Sequence, residues 1–419
     1  MANLLPELLR ELRFALSERT VVYVLVATVA LSSLALIAGL ANVAQQSARL
    51  HTLLPSIENE KEQALAAQSD VGSAAYYVFH LTYDLPSDLA FVALGMRDEL
   101  PWLHRVRMLA LEGQIYENDP GNPELSSLGD LDFAYLVSII LPLLLIGLLY
   151  DLDARERRDA RYELLYATSA RGGRVLHIRG LARTLLLLGA ILIPLITIAL
   201  VVGRWHTGLI AVVLAVIIHA MFWLIVSRLI AVRVYEASTA AAVLLGAWLL
   251  MTVLIPVMGK YLTERAIDVP HGGNILFLQR ETVNDAWDLP KIDTMDAFAS
   301  RHPEWKDVTI EKPFEWRWYY AFQQVGDQEA EPLSVALEDG MRERARWMSR
   351  IALLSPPLLV EQWLTKLAKT DTRQHMAYMR CVRDFHSSLR EFHYPMMFGR
   401  QEFNEINMSK LPQFKPCGI

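Results

Sequence analysis

The chain has 419 residues, 53% of them apolar and 21% charged, with a formal net charge of −6. The apolar residues gather into long uncharged runs, which excludes a soluble multidomain enzyme and a disordered chain, and two cysteines, Cys381 and Cys417, are too few for a disulfide-stapled miniprotein. A mildly acidic total argues against nucleic acid as a partner.

The first twenty residues place Leu4, Leu5, Leu8, Leu9, Leu12 and Leu16 at steps of three and four, with Glu7, Arg10, Glu11 and Glu18 on the other arc. That pattern predicts a helix in the membrane interface or one packed on a partner subunit. Five uncharged runs follow, each long enough to cross a bilayer core: Val21–Leu40, Phe133–Tyr150, Thr184–Val202, Thr207–Val226 and Ala237–Met258. The first run is longer than a secretory signal core and reads as a retained anchor, so the expected first span covers 21–43. Pro194 and Pro256 permit kinks within the third and fifth spans.

Orientation follows from the arginines. The loop 151–183 carries Arg155, Arg157, Arg158, Arg161, Arg171, Arg174, Arg179 and Arg183, which places it, with residues 1–20, in the cytoplasm. Five spans then leave 44–132 and 259–419 on the outer side, with the third to fifth spans in 184–258. The expected fold class is an all-α integral membrane protein whose outside regions are mostly helical.

Residues 44–132 predict a helix over 43–68, a turn at Tyr83–Asp88, a broken helical region over 91–110 and a loop at Asn118–Pro123. His80 and His104 fit packing roles there. The segment 151–183 predicts a helix over 152–169, a break at Ala170–Gly173 and a second helix from Arg174. A positive-inside anchor accounts for its arginines, whereas the interleaved Glu156, Asp159 and Glu163 with Tyr162, Leu164 and Leu165 suit a docking helix for another protein. His219 is the central ionisable residue within the spans, a functional candidate or an imidazole bonded across helices. The C-terminal region predicts helices over 274–286, 293–301, 331–354, 358–368 and 371–392, with Pro332 near the start of the third and an aromatic-rich stretch over 314–324.

No phosphate loop, H-E-x-x-H, G-x-S-x-G or paired C-x-x-C occurs, so ATP hydrolysis, zinc proteolysis and serine esterase chemistry lack their usual residues. His375, Met379, Cys381 and His386 have the soft-ligand chemistry of a copper site, although Phe385 and Leu389 beside them make amphipathic packing the simpler reading. Cys381 and Cys417 are candidates for a disulfide on the outer side.

The charged run Asp151–Arg171, directly after a Leu-Pro-Leu-Leu-Leu span, resembles the cytoplasmic coupling segment of ABC-2 type transporter permeases. Leu94–Pro101, Gly129–Phe133, Leu354–Pro357 and Lys369–His375 are similar to the bacterial subgroup with large periplasmic insertions of unknown function. The resemblance implies a permease in the inner membrane, with the N-terminus cytoplasmic and the C-terminus periplasmic, and export as the favoured direction. It implies two partners: a second permease subunit, alike or a sister, and a cytoplasmic ABC ATPase dimer that holds the ATP and Mg, so that this chain binds no cofactor itself. Glu156, Arg158, Arg161, Glu163, Arg171 and Arg174 would then lie nearest the ATPase. Relatives usually end in a sixth span, which Met408–Ile419 does not supply. The alternative is a membrane-anchored periplasmic scaffold or sensor that transports nothing.

Overall fold

The computed structural model describes residues 4–117, 131–168, 174–399 and 401–416. It is mostly helical, and five of its helices are long and apolar enough to cross a membrane. The amphipathic helix α1 (Leu4–Ser17) is followed by α2 (Arg19–Ala66), 48 residues without a break. Sequence periodicity divides this stretch near residue 43 because the apolar run ends there. The backbone does not follow: Pro55 is its one proline, and good helix formers such as Ala, Glu, Gln and Leu dominate residues 53–66.

A short helix, α3 (Val71–Tyr77), leads to β1 (His80–Tyr83), which pairs antiparallel with β2 (Leu103–Val106) in the register His80 to Val106. Between the strands lies α4 (Met96–Glu99), and α5 (Leu111–Tyr116) follows. The helical reading of 91–110 is therefore corrected. Leu89–Leu94 forms short turns that sink into the same apolar cluster as the long helices, and 103–106 is strand. Six consecutive side chains buried on all sides cannot belong to a half-exposed helix, which would turn one face to solvent. The expected loop at Asn118–Pro123 lies outside the described residues.

The second apolar helix, α6 (133–149), starts at Phe133, where Asp132 accepts hydrogen bonds from Tyr135 N at 2.8 Å and Leu94 N at 3.0 Å, and contains a π-helical stretch at Leu136–Ile140. The expected single helix over 152–169 is two: α7 (Leu152–Arg158) and α8 (Tyr162–Thr168), parted where Ala160 takes φ 54°. The expected break at 170–173 lies outside the described residues. Next come α9 (Arg174–Val201), α10 (Thr207–Arg233) and α11 (Ala237–Ala266), the last with a π stretch at Leu250–Leu254.

Beyond them lie α12 (Gly272–Asp285), α13 (Lys291–Ala299), α14 (Trp316–Ala352), α15 (Pro356–Leu367), α16 (Thr372–Met397) and α17 (Glu405–Met408). The expected start near Pro332 is corrected: α14 runs through that proline, and its first turns are the aromatic-rich stretch itself. Pro332 forfeits one helical hydrogen bond, while Trp318, Tyr320 and Phe322 gain burial on the preceding turns.

The two segments expected as separate outside pieces share one core. Val78, Val106, Met108 and Ile115 pack with Phe298, Tyr320, Tyr378, Phe385 and Leu389. This unit meets the long helices at a clasp. Thr370 Oγ1 donates to Ala93 O at 2.9 Å, Met96 N donates to Thr370 O at 2.8 Å, and Ser87 Oγ donates to Ala368 O at 2.5 Å. Gly95 permits this turn at φ +50°, since a Cβ there would stand 2.7 Å from Thr370 O. Beside the clasp, the buried Arg97 guanidinium pairs with Asp84 at 2.5 Å and donates to Gln46 of α2 at 2.8 Å, while Gln374 of α16 donates to Asp84 at 3.1 Å.

Candidate coupling surface

At the end of the bundle that carries α1, carboxylates and guanidinium groups from four helices interlock. Alanine and glycine at Ala182 and Gly180 let α9 approach its neighbours closely, and its arginines emerge on the face toward α1 and α7. Arg179 donates to Glu11 at 2.9 Å and to Glu156 at 2.6 Å, with all three side chains largely buried. Arg183 donates to both oxygens of Glu18 at 2.7 and 2.9 Å and to Leu148 O at 2.6 Å. Arg174 reaches Glu7 at 3.3 Å. Asp153 of α7 is held by Arg228 of α10, with a second contact at 3.1 Å. Arg157 stacks on Tyr162 and Tyr235, 4.5 and 4.3 Å from their ring centres, and donates to Val234 O at 3.2 Å.

The acidic arc of α1 thus faces the protein, and its apolar arc faces outward: Leu5 is 67% exposed, with Leu4, Leu9, Phe14 and Leu16 also exposed. The sequence revealed that arc but not its partners. Glu7, Glu11 and Glu18 recur at helical spacing, but Arg174, Arg179 and Arg183, which meet them, are spaced differently, so the pairing shows only in the fold.

The expected coupling residues divide into two groups. Glu156 is buried and accepts from Arg161 at 3.1 Å as well as from Arg179, so it braces α7 against α9. Arg161 spans Glu156 and Asp159, and Arg174 serves α1. Arg158 and Glu163 stand exposed, and Leu164 beside them is 61% exposed. Arg171 lies outside the described residues. α8 follows a base, α7 against α9, whose charges are already paired through Glu156 and Arg179.

His219 is buried on α10, its imidazole reaching the Ser138 backbone in the π stretch of α6 while Nε2 has no hydrogen-bond partner among the described residues. It stands apart from the charged network.

The soft-ligand residues are distributed along α16. His375 and His386 are eleven residues apart on one helix, about 16 Å along its axis, too far to share an ion. His386 Nε2 lies 3.1 Å from Arg107 O, Met379 is core, and Cys381 is disulfide-bonded; its expected partner, Cys417, lies outside the described residues. Among the described residues no three His, Cys, Asp or Glu side chains gather as a metal site. Burial lowers the His80 pKa to about 3 and those of His104, His375 and His393 to about 4, which keeps these imidazoles neutral in the core.

Residues 275–416 match a family model described as a domain of unknown function, DUF3526. The match begins within α12 and includes none of the five long apolar helices. No curated protein and no solved structure matches the chain.

Proposed function

We propose that this chain is the membrane permease subunit of an ATP-driven transporter of the ABC-2 type, an exporter, working with a second permease subunit and a separate cytoplasmic ATPase dimer that binds ATP and Mg. The five long apolar helices cross the inner membrane, α1 and α7–α8 lie on the cytoplasmic side, and the joined unit of 44–132 and 259–419 lies in the periplasm. The observation that carries the reading is the network of Glu11, Glu156 and Arg179. It ties α1 and α7, the helix that leads through Arg161 into the short, exposed α8, to the root of α9, as a handle for a moving partner requires. Export then follows from two arrangements of the helices whose balance shifts when the ATPase binds nucleotide.

Co-expression with a candidate ATPase and affinity capture tests this. Glu163→Arg with Leu164→Asp is expected to abolish co-purification while leaving thermal unfolding of the permease unchanged, because both side chains are exposed. Undiminished capture would refute the docking role of α8. If a phenotype of the chain persisted with the ATPase inactivated, the scaffold or sensor reading would replace transport.

A further inference from the structure

We infer that α10 holds a file of bound water between His219 and Ser227, fed from the end of the helix that meets α7. The file depends only on how α6, α9, α10 and α11 pack, so it stands or falls apart from the transporter reading.

The row that marks it is made of three polar atoms. His219 Nε2, Trp223 Nε1 and Ser227 Oγ are all buried, and none has a hydrogen-bond partner among the described residues. Their residues are 3%, 0% and 1% exposed. Positions four and eight residues apart lie on the same side of a helix, so the three atoms form one stripe rather than scattered defects. A buried polar group without a partner is costly, and buried polar groups are as a rule hydrogen-bonded.

Spacing and chemistry both suit water. Four residues advance about 6 Å along the axis, close to the separation of two groups bridged by one water through hydrogen bonds of about 2.8 Å. The three atoms also have complementary roles. In a helix the backbone group open to a side chain is a carbonyl, so the imidazole nitrogen at Ser138 donates and Nε2 is left to accept. The Trp223 indole only donates, and the Ser227 hydroxyl does both. One water can therefore accept from Trp223 and donate to His219, while its second hydrogen reaches another water at Ser227. The first water then makes about three bonds, as buried waters do.

The surroundings give the file one opening. After Ser227 comes Arg228, whose guanidinium holds Asp153 of α7 and lies 3.4 Å from Nδ1 of the exposed His177, so the row continues into groups that reach solvent. Toward the other end, Leu209–Ile218 is ten residues of Leu, Ile, Val and Ala, with no polar side chain. Water enters beside α7 and stops at His219. The helices around that point are irregular: Trp248 Nε1 of α11 donates to Ile139 O at 3.2 Å, joining the neighbourhoods of the π stretches Leu136–Ile140 and Leu250–Leu254. Such stretches loosen helical pairing and recur at functional sites. The file gives the imidazole exchange with solvent from one side only.

Radiolytic hydroxyl labelling of the purified full chain by short X-ray pulses, read by mass spectrometry, tests the file, because a bound water yields its radical in place. Trp223 is expected to be oxidised about tenfold faster than Phe91 and Phe133, which are as buried but lie among apolar side chains. Similar rates at the three overturn the inference. Ser227→Val fills the place of the second water and is expected to bring Trp223 down to the rate of the phenylalanines. An unchanged fast rate in that variant overturns the file and its entry beside α7. Ser227→Ala, which keeps the room but not the hydroxyl, is expected to slow Trp223 in part. It decides the matter should the valine variant fail to fold, and an unchanged rate there has the same meaning.

Discussion

Arg179 at one end of the bundle and Thr370 at the other both join distant parts of the chain, by different means. Arg179 links α1, α7 and α9 through charge, and its acceptor Glu156 also serves Arg161, so guanidinium groups can exchange carboxylates with little change in pairing. Thr370 links the strand-bearing unit to the turns at 93–96 through backbone carbonyls and a left-handed glycine, a geometry with one solution. Around that clasp His104 is buried and His375 half-buried, and desolvation keeps both imidazoles neutral. Of the two joints, the charged one suits rearrangement under load, and the neutral one suits holding position.

Acid provides the largest expected effect. Burial lowers the pKa of His80, His104, His375 and His393, so below about pH 6.5 the unfolded chain binds protons that the folded unit refuses. The stability these neutral histidines contribute is complete above that pH and is lost progressively as the pH falls toward about 4. Tryptophan fluorescence of thermal unfolding, reported by Trp305, Trp316 and Trp318, is expected to show a much lower midpoint at pH 5 than at pH 7.5. Equal midpoints would refute a neutral joint.

Arg179→Leu leaves the buried Glu11 and Glu156 with only the exposed Arg10 and Arg161 as partners and is expected to cost about 3 kcal/mol in chemical denaturation. Next in size, Gly95→Ala is expected to cost about 1–3 kcal/mol, through both its φ and the approach to Thr370 O. Ser355→Ala removes two hydrogen bonds, the one its Oγ donates to Met251 O and the helix cap it accepts from Leu358 N at 3.2 Å, and is expected to cost about 1–2 kcal/mol, read as a small shift of the same transition. Arg155→Ala breaks only a loose, exposed pair with Glu18 at 3.6 Å and is expected to cost less than about 1 kcal/mol. If Arg155→Ala and Arg179→Leu cost the same, the charged end is not a buried joint and the contrast dissolves.

The long apolar helices were legible because a span needs an uncharged run and little else, so Val21–Leu40 and its four counterparts match observed helices to within one residue where they overrun. The amphipathic α1 was legible from spacing alone. Continuity was not: hydropathy changes near residue 43 while α2 continues, and Pro332 resembles a helix start although α14 begins at Trp316. Leu89–Leu94 misled because an apolar segment buried on every side has no period that distinguishes helix from turn. Among the expected coupling residues, Glu156 proved to face inward, while Arg161 pairs with it from an exposed position. The other partner of Glu156, Arg179, is close only in the fold, and no local pattern encodes that pairing.

The unbroken α2 has the proportions of a lever. Its 48 residues make a rod of about 72 Å, more than twice the thickness of a bilayer core, and Gln46 grips Arg97 partway along it. A tilt of about 5° about one end would carry the other through about 6 Å, so a small swing at Arg19 arrives at Ala66 as a large stroke.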